Sequence, residues 1–437
     1  MNKKEMEKDF QKDLLDMFEA TIEMAVEDEL LKPFIPLVES EIKQARKMIR
    51  CLEEEGPLIT GVFASYPEIL TAMEVDWNSI LAAPFEGFLP MFDDEAFDTI
   101  KNYLDRSSVS STVCGFHKLL ENRIAYSPTP SAMISLTRPC DGLAVLFSGI
   151  HQYWAKEGWR NVSNFNLVTP YKDDELGLKY GADSIRQFIE FLENQTGKKL
   201  DITKLKGVVE KTNEQYQLWS DLNDVARSKP CPYHGFSGLF AWHTLGNAPQ
   251  LFGTNEATEF LKSYIQLGLD KYKNEREELE GNEKIRILWV DLPPFQTIEI
   301  VTLLADEFKA KVVMDSSGLM RKSSIVDTST EQSMFEGLVT RHMFNGLMLK
   351  LGSGSFDKLI TEIEWAIKAY DVDCVFGFGH IGHKDCNSVK GLVTEACNKL
   401  NVPILNFNYD VYDDRFASKG DLRNIFSNFF DAYGLGR

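Results

Sequence analysis

The chain has 437 residues, 43% hydrophobic and 26% charged, a composition typical of folded globular proteins and a length that supports two or three cores. Its formal net charge of −19 argues against nucleic acid or an anionic membrane surface as a partner, because either needs a broad basic face. No apolar run approaches the ~20 residues of a membrane helix. The start, MNKKEMEKDFQKDLLDMFE, is charged and amphipathic with no secretory core, so the expected location is the cytoplasm.

Apolar residues recur at helical spacing through residues 1–55 until Gly56 and Pro57 interrupt them. Strand and helix patterns then alternate: LITGVFA, PEILTAMEV, SAMISLT, GLAVLFSGIHQYWAKE, NFNLVTP. Residues 181–283 read as mostly helical, with one helix stopped by Gly197 and a loop KPCPYHGFSG before LFAWHTLG. The alternation resumes at Lys284 with IRILWVDLPP, TIEIVTLLADEF, KVVMDS, FDKLITEIEWAIKAY, DCVFGFGH, NSVKGLVTEACNKL and VPILNFNYD. Such alternation predicts βαβ units. The expected fold is α/β: two Rossmann-like parallel-sheet lobes (56–180 and 284–437) joined by a helical connector (181–283), with a helical N-terminal segment (1–55).

The seven cysteines are odd in number, scattered and free of any CxxC pair, which fits a reducing compartment better than a disulfide framework. Three share one context, in which an apolar stretch leads to a loop and the thiol opens a predicted helix. They are Cys114 in STVCGFHKLL, Cys140 in SAMISLTRPCDGLAVLF and Cys386 in DCVFGFGHIGHKDCNSVKGL. Helix starts favour thiolate over thiol, and three thiolates converging from loop tips can hold an iron–sulfur cluster with one iron open. A buried, inert thiol is the competing reading for each. A zinc site needs four ligands in closed geometry, and the spacing has no usual zinc pattern. Cys51, Cys231, Cys374 and Cys397 read as buried, inert thiols, Cys231 being the one whose loop could also reach a cleft between lobes.

In the last lobe Cys386, a helix, Pro403, Asp410, Asp414 with Arg415, and Ser418 before an aromatic-rich helix occur in that order. YPEIL at 66–70, TGKKLD before a long helix and PCPYHGFSGLF precede them. In these segments the chain resembles the 2-hydroxyacyl-CoA dehydratases and their relatives, the ATP-dependent benzoyl-CoA reductases. The resemblance implies a larger-subunit-like component whose Cys114, Cys140 and Cys386 hold a [4Fe–4S] cluster, with the fourth iron open to water or to an acyl-CoA thioester carbonyl. It implies a radical mechanism of anaerobic metabolism: the carbonyl takes one electron, the resulting ketyl radical anion expels the 2-hydroxyl, a β-proton is lost, and return of the electron to the cluster leaves an enoyl-CoA. No G-x-x-x-x-G-K followed by Ser or Thr occurs. The resemblance therefore implies a separate ATP-hydrolysing iron–sulfur activator, together with a homologous smaller subunit or a second copy of this chain.

Alternatives within the resemblance are a benzoyl-CoA reductase subunit, a reductase with a double-cubane [8Fe–9S] cluster drawing on about six thiolates, and a non-catalytic electron-transfer subunit. Glu68 directly follows Pro67, where the family often has Pro-x-Glu; it is either a general base or a first-turn acid that complements the helix dipole. His380 and His383, additions to the family pattern, and His234 either relay protons or shape their loops. His117, one turn after Cys114, is either an ordinary helix residue or one that contacts the cluster's ligands. Lys118, Arg138 and Lys384 lie close in sequence to the three cysteines, where they offset cluster charge, grip CoA phosphates or remain solvated.

Overall fold

The computed structural model describes residues 3–29, 31–54, 56–61, 66–75, 77–79, 114, 130–136, 162–168, 170–233, 251–294, 299–315, 324–345, 356–411, 413 and 415–436. His117, Lys118, Arg138, Cys140, His234 and Asp414 lie outside the described residues.

The chain is α/β. The first sheet holds β1 (Ile59–Gly61), β2 (Trp77–Ser79), β3 (Ala132–Leu136) and β4 (Ser163–Leu167) in the order β2-β1-β3-β4. The second holds β5 (Ile285–Trp289), β6 (Ala310–Asp315), β7 (Cys374–Phe376) and β8 (Ile404–Leu405) in the order β6-β5-β7-β8. Every strand pair is parallel. β5 and β6 are buried at every position, the pattern of strands covered on both faces.

Both sheets start in the middle, add a strand on one side, then cross to the other. The connections leaving β5 and β7 therefore diverge and open a crevice at the carboxyl ends of the strands, where ligands bind in open α/β sheets. The chain enters that crevice at Asp291 after β5 and at 377–386 after β7.

Among the described residues the longer or site-bearing helices are α1 (Lys3–Glu27), α2 (Ile35–Glu54), α3 (Pro67–Ala72), α4 (Glu175–Thr196), α5 (Ile202–Ala226), α6 (Asn255–Asn274), α7 (Glu299–Phe308), α8 (Glu331–Val339), α9 (Phe356–Ala369), α10 (Lys384–Ser388), α11 (Lys390–Lys399) and α12 (Lys419–Tyr433), and a short helix, Arg276–Gly281, follows α6. Asp174 and Asp201 cap α4 and α5, α4 ends at Gly197, and Ser418 with Asp421 forms a capping box on α12. Packing crosses the expected divisions of the chain twice. Leu14 and Phe18 of α1 and Leu37 and Val38 of α2 join one core with Trp289 and Phe376 of the second sheet. Met334, Phe335, Leu338 and Val339 of α8, which follows β6 in the chain, lie instead in the core of the first sheet.

The amino ends of the second sheet are sealed by buried charge. Glu283 pairs with Arg286 and lies 3.6 Å from the Lys311 Nζ. Its Oε2 also accepts from the Cys231 N–H at 2.6 Å, while Lys311 donates to the Cys231 carbonyl at 2.7 Å. Cys231 is thereby held, buried, at the end of the sheet opposite the crevice, in keeping with its reading as an inert thiol. Burial pushes its thiol up to about 11. Glu283→Gln leaves two buried cations without a counter-charge. A loss of ~3–5 kcal/mol is expected in denaturant unfolding; an unchanged midpoint would show that the network is not what closes this end.

Candidate metal centre

Asp291 is the second residue after β5, and its carboxylate is buried. Oδ1 accepts from the Leu292 N–H at 2.8 Å and from His383 Nδ1 at 3.1 Å. Oδ2 accepts from the backbone N–H of His380 at 3.2 Å and of Gly379 at 3.4 Å. Burial opposes ionisation, but the hydrogen bond and charge of His383, then the charge of His380 and the Leu292 N–H, outweigh it and hold the pKa below the usual aspartate value.

The segment after β7 continues as a near-strand: Gly377 N–H donates to Leu405 O at 2.8 Å, and Ile381 N–H to Tyr409 O at 2.7 Å. Only glycine fits at 379, because a Cβ there would lie 1.5 Å from the Phe407 carbonyl oxygen. Gly382 turns the chain with φ +99°, and a Cβ there would lie 2.4 Å from the Cys114 nitrogen. The backbone of Cys114, distant in sequence, thus rests directly on this loop. Asn387 donates to the carbonyls of His380 and His383, both at 2.9 Å, and fixes the loop to α10.

Cys114 Sγ and His380 Nε2 are hydrogen-bonded at 2.9 Å. The His380 and His383 rings meet edge to face, 4.3 Å between centroids. One donor atom each from Cys114, His380 and His383 lie within 4.8 Å of one another, and so do donors from Asp291, His383 and Cys386. His383 belongs to both sets, and all five residues are buried. Four of the predicted site residues (Cys114, Cys386, His380 and His383) thus come together. Lys384 is exposed on the first turn of α10, two residues from Cys386. Sulfur and imidazole donors suit transition metals and iron–sulfur centres better than Mg2+ or Ca2+.

Glu68 is elsewhere, on α3 beside the first sheet, and is completely buried. Its carboxylate accepts from Arg341 Nη1 at 2.8 Å and meets His342 Nε2 at 2.8 and 3.1 Å. Arg341 also donates to Thr212 Oγ1 at 2.6 Å and lies 4.3 Å over the Tyr216 ring. Consecutive residues of an α-helix do not face one partner. Here Arg341 and His342 occupy a π-helical turn, Thr340–Phe344, and both reach one carboxylate. Burial resists ionisation of Glu68, yet His342 and Arg341 outweigh it and pull the pKa down to about 2. A carboxylate so committed is neither a solvated first-turn acid nor, in this arrangement, a ready proton acceptor.

Sequence reasoning missed Asp291, Arg341 and His342. Asp291 had a signal: a lone acid at the carboxyl end of the buried strand IRILWV. The pair at 341–342 had none, because its role depends on a helical irregularity.

The family model for the 2-hydroxyglutaryl-CoA dehydratase D-component matches residues 67–432. The chain belongs to that family. The (R)-phenyllactyl-CoA dehydratase alpha subunit of Clostridium sporogenes is 31% identical over 112 residues, a match spanning 26% of this chain and 27% of that one. As a D-component family member, the chain bears out the resemblance first read around Cys386, Asp410 and Ser418, all within the matched span. Among the described residues, no helix is long and apolar enough to cross a membrane.

Two outcomes test this geometry. Gly382→Ala must push Cys114 off the loop, at a cost of about 1–3 kcal/mol, and should increase Cys114 labelling by a thiol reagent. Glu68→Gln should destabilise the protein by ~3–5 kcal/mol near neutrality. The carboxylate's ionic contribution is complete above its ordinary pKa of 4.5 and is lost as pH falls towards about 2. Unfolding curves of the two proteins should therefore converge across that interval.

Proposed function

We propose that the chain is the iron–sulfur component of a 2-hydroxyacyl-CoA dehydratase, a lyase that removes water from a 2-hydroxyacyl thioester to leave an enoyl-CoA. The observation that carries this reading is the meeting of Cys114 and Cys386 with His380, His383 and Asp291 in one buried site at the carboxyl ends of the second sheet, in a D-component family member. A donor set of buried thiols and imidazoles fits a [4Fe–4S] cluster. Bound there, such a cluster supplies a low-potential electron and a Lewis-acidic iron for the thioester carbonyl.

The chain's own residues have separate tasks in this reading. Cys114, Cys386 and Cys140 are the cluster thiolates. His380 Nε2, 2.9 Å from the Cys114 sulfur, stabilises the thiolate once cluster binding has removed the thiol proton and the imidazole N–H faces the sulfur. Burial keeps water from the centre. Lys384, exposed beside Cys386, and Lys118 and Arg138, close in sequence to the other two cysteines, offset cluster charge or contact the CoA phosphates. His234 is assigned to proton handling. Glu68 holds the first core together through Arg341 and His342.

A double cubane is disfavoured. Cys231 lies at the opposite end of the sheet, Cys374 opens β7 at that same end, Cys397 is in the core on α11, and Cys51 packs beside Met48 and Leu52. Burial raises the thiols of Cys231, Cys374 and Cys397. The partners in this reading are an acyl-CoA substrate, a homologous smaller subunit or a second copy of this chain, and an ATP-hydrolysing iron–sulfur activator. The relative named for phenyllactyl-CoA makes an aromatic 2-hydroxyacyl group a sensible first substrate to try.

The test is iron and acid-labile sulfide analysis of protein purified without oxygen. About four of each per chain are expected, with most of both lost in Cys114→Ser and Cys386→Ser. Water loss from 2-hydroxyacyl-CoA thioesters, followed by mass spectrometry with the activator and ATP, should vanish in the same variants. Full iron retention in both variants would sink the assignment.

A further inference from the structure

Two histidines at the centre have different surroundings. His380 Nε2 is 2.9 Å from the Cys114 sulfur, so this nitrogen is engaged with a ligand atom. His383 directs Nδ1 to Asp291 Oδ1 at 3.1 Å. The same carboxylate accepts from the N–H groups of Leu292, His380 and Gly379, so it cannot turn away without stranding buried donors. An acceptor-only carboxylate puts the imidazole proton on Nδ1 and leaves the lone pair on Nε2. A carboxylate orienting one nitrogen of a histidine while the other binds metal is a recurrent arrangement, because it fixes both tautomer and ring direction. His383 is also the one residue common to both donor sets, one of which contains Cys114 and the other Cys386.

The geometry points to His383 Nε2 as a nitrogen ligand of the metal centre, with Asp291 as the residue that positions it. This rests on the proposed cluster and deepens it: three cysteines leave one iron position of a cubane unfilled, and the imidazole fills it in the resting protein. An oxygen ligand such as a thioester carbonyl then binds by competing with a neutral nitrogen. The centre is thereby shielded until substrate arrives, and its ligand set is mixed sulfur and nitrogen.

Pulsed electron paramagnetic resonance on the reduced, iron-loaded protein reads this directly. A strongly coupled histidine nitrogen is expected, shifted by 15N-histidine labelling, retained in His380→Gln and lost in His383→Ala. Asp291→Asn should weaken the coupling and lower metal affinity by about 10- to 100-fold, and adding acyl-CoA should diminish the signal. Iron-loaded, dehydrating protein with no histidine coupling, or with coupling that survives His383→Ala, overturns the ligand assignment and leaves the dehydratase reading standing. Coupling present without dehydration does the reverse. Protein that loads no iron is titrated with Co2+: sulfur-to-cobalt charge-transfer bands whose position shifts in His383→Ala support the ligand, and bands identical in both proteins, or none, overturn it.

Discussion

A carboxylate taken out of water must have its oxygens satisfied, and Asp291 meets that demand with donors from two different connections. Leu292 follows the same strand as Asp291; Gly379, His380 and His383 follow the neighbouring one. Satisfying this single buried charge therefore fastens the loop after β7 to the end of β5. The loop in turn sets where His380 and His383 point and, through Gly382, where Cys114 rests. The centre is an arrangement of backbone first and of side chains second.

The second sheet separates structural charge from chemical groups along the strand direction. At its amino ends Glu283, Arg286 and Lys311 are buried in mutual contact and hold Cys231 by its backbone. At its carboxyl ends lie thiols, imidazoles and Asp291. The separation follows from topology. Only at the carboxyl side, where the chain leaves β5 and β7 in opposite directions, is there a crevice to fill. Glu68, Arg341 and His342 perform for the first core what the Glu283 network does for the second. They also tie α3 to the π-helical turn that continues α8, so a segment late in the chain contributes to the core of the first sheet.

Much of this was legible in the linear chain. Alternating strand and helix patterns give parallel sheets, because parallel neighbours require crossovers. Cys114 and Cys386 were recognisable because loop-borne thiols after apolar stretches are uncommon, and His380 and His383 because glycines flank them. Asp291 was readable in principle from its place after a buried strand. Glu68 was visible as a residue, but its partners lie more than 270 positions away and nothing local announces them. Cys231 was legible as a buried thiol, but not the end of the sheet it occupies, because a Pro- and Gly-rich loop looks the same whichever end it approaches.

The sequence by itself determined the fold class, the family and the two thiols that lie beside His383, since these rest on local pattern and on motif order. Tertiary structure decided which end of the sheet each loop serves, that one acid anchors the His380–His383 loop, and that Glu68 is committed to a salt-bridged core. Those outcomes depend on satisfying buried charges through space, and a buried charge takes its partners from whatever the fold brings near.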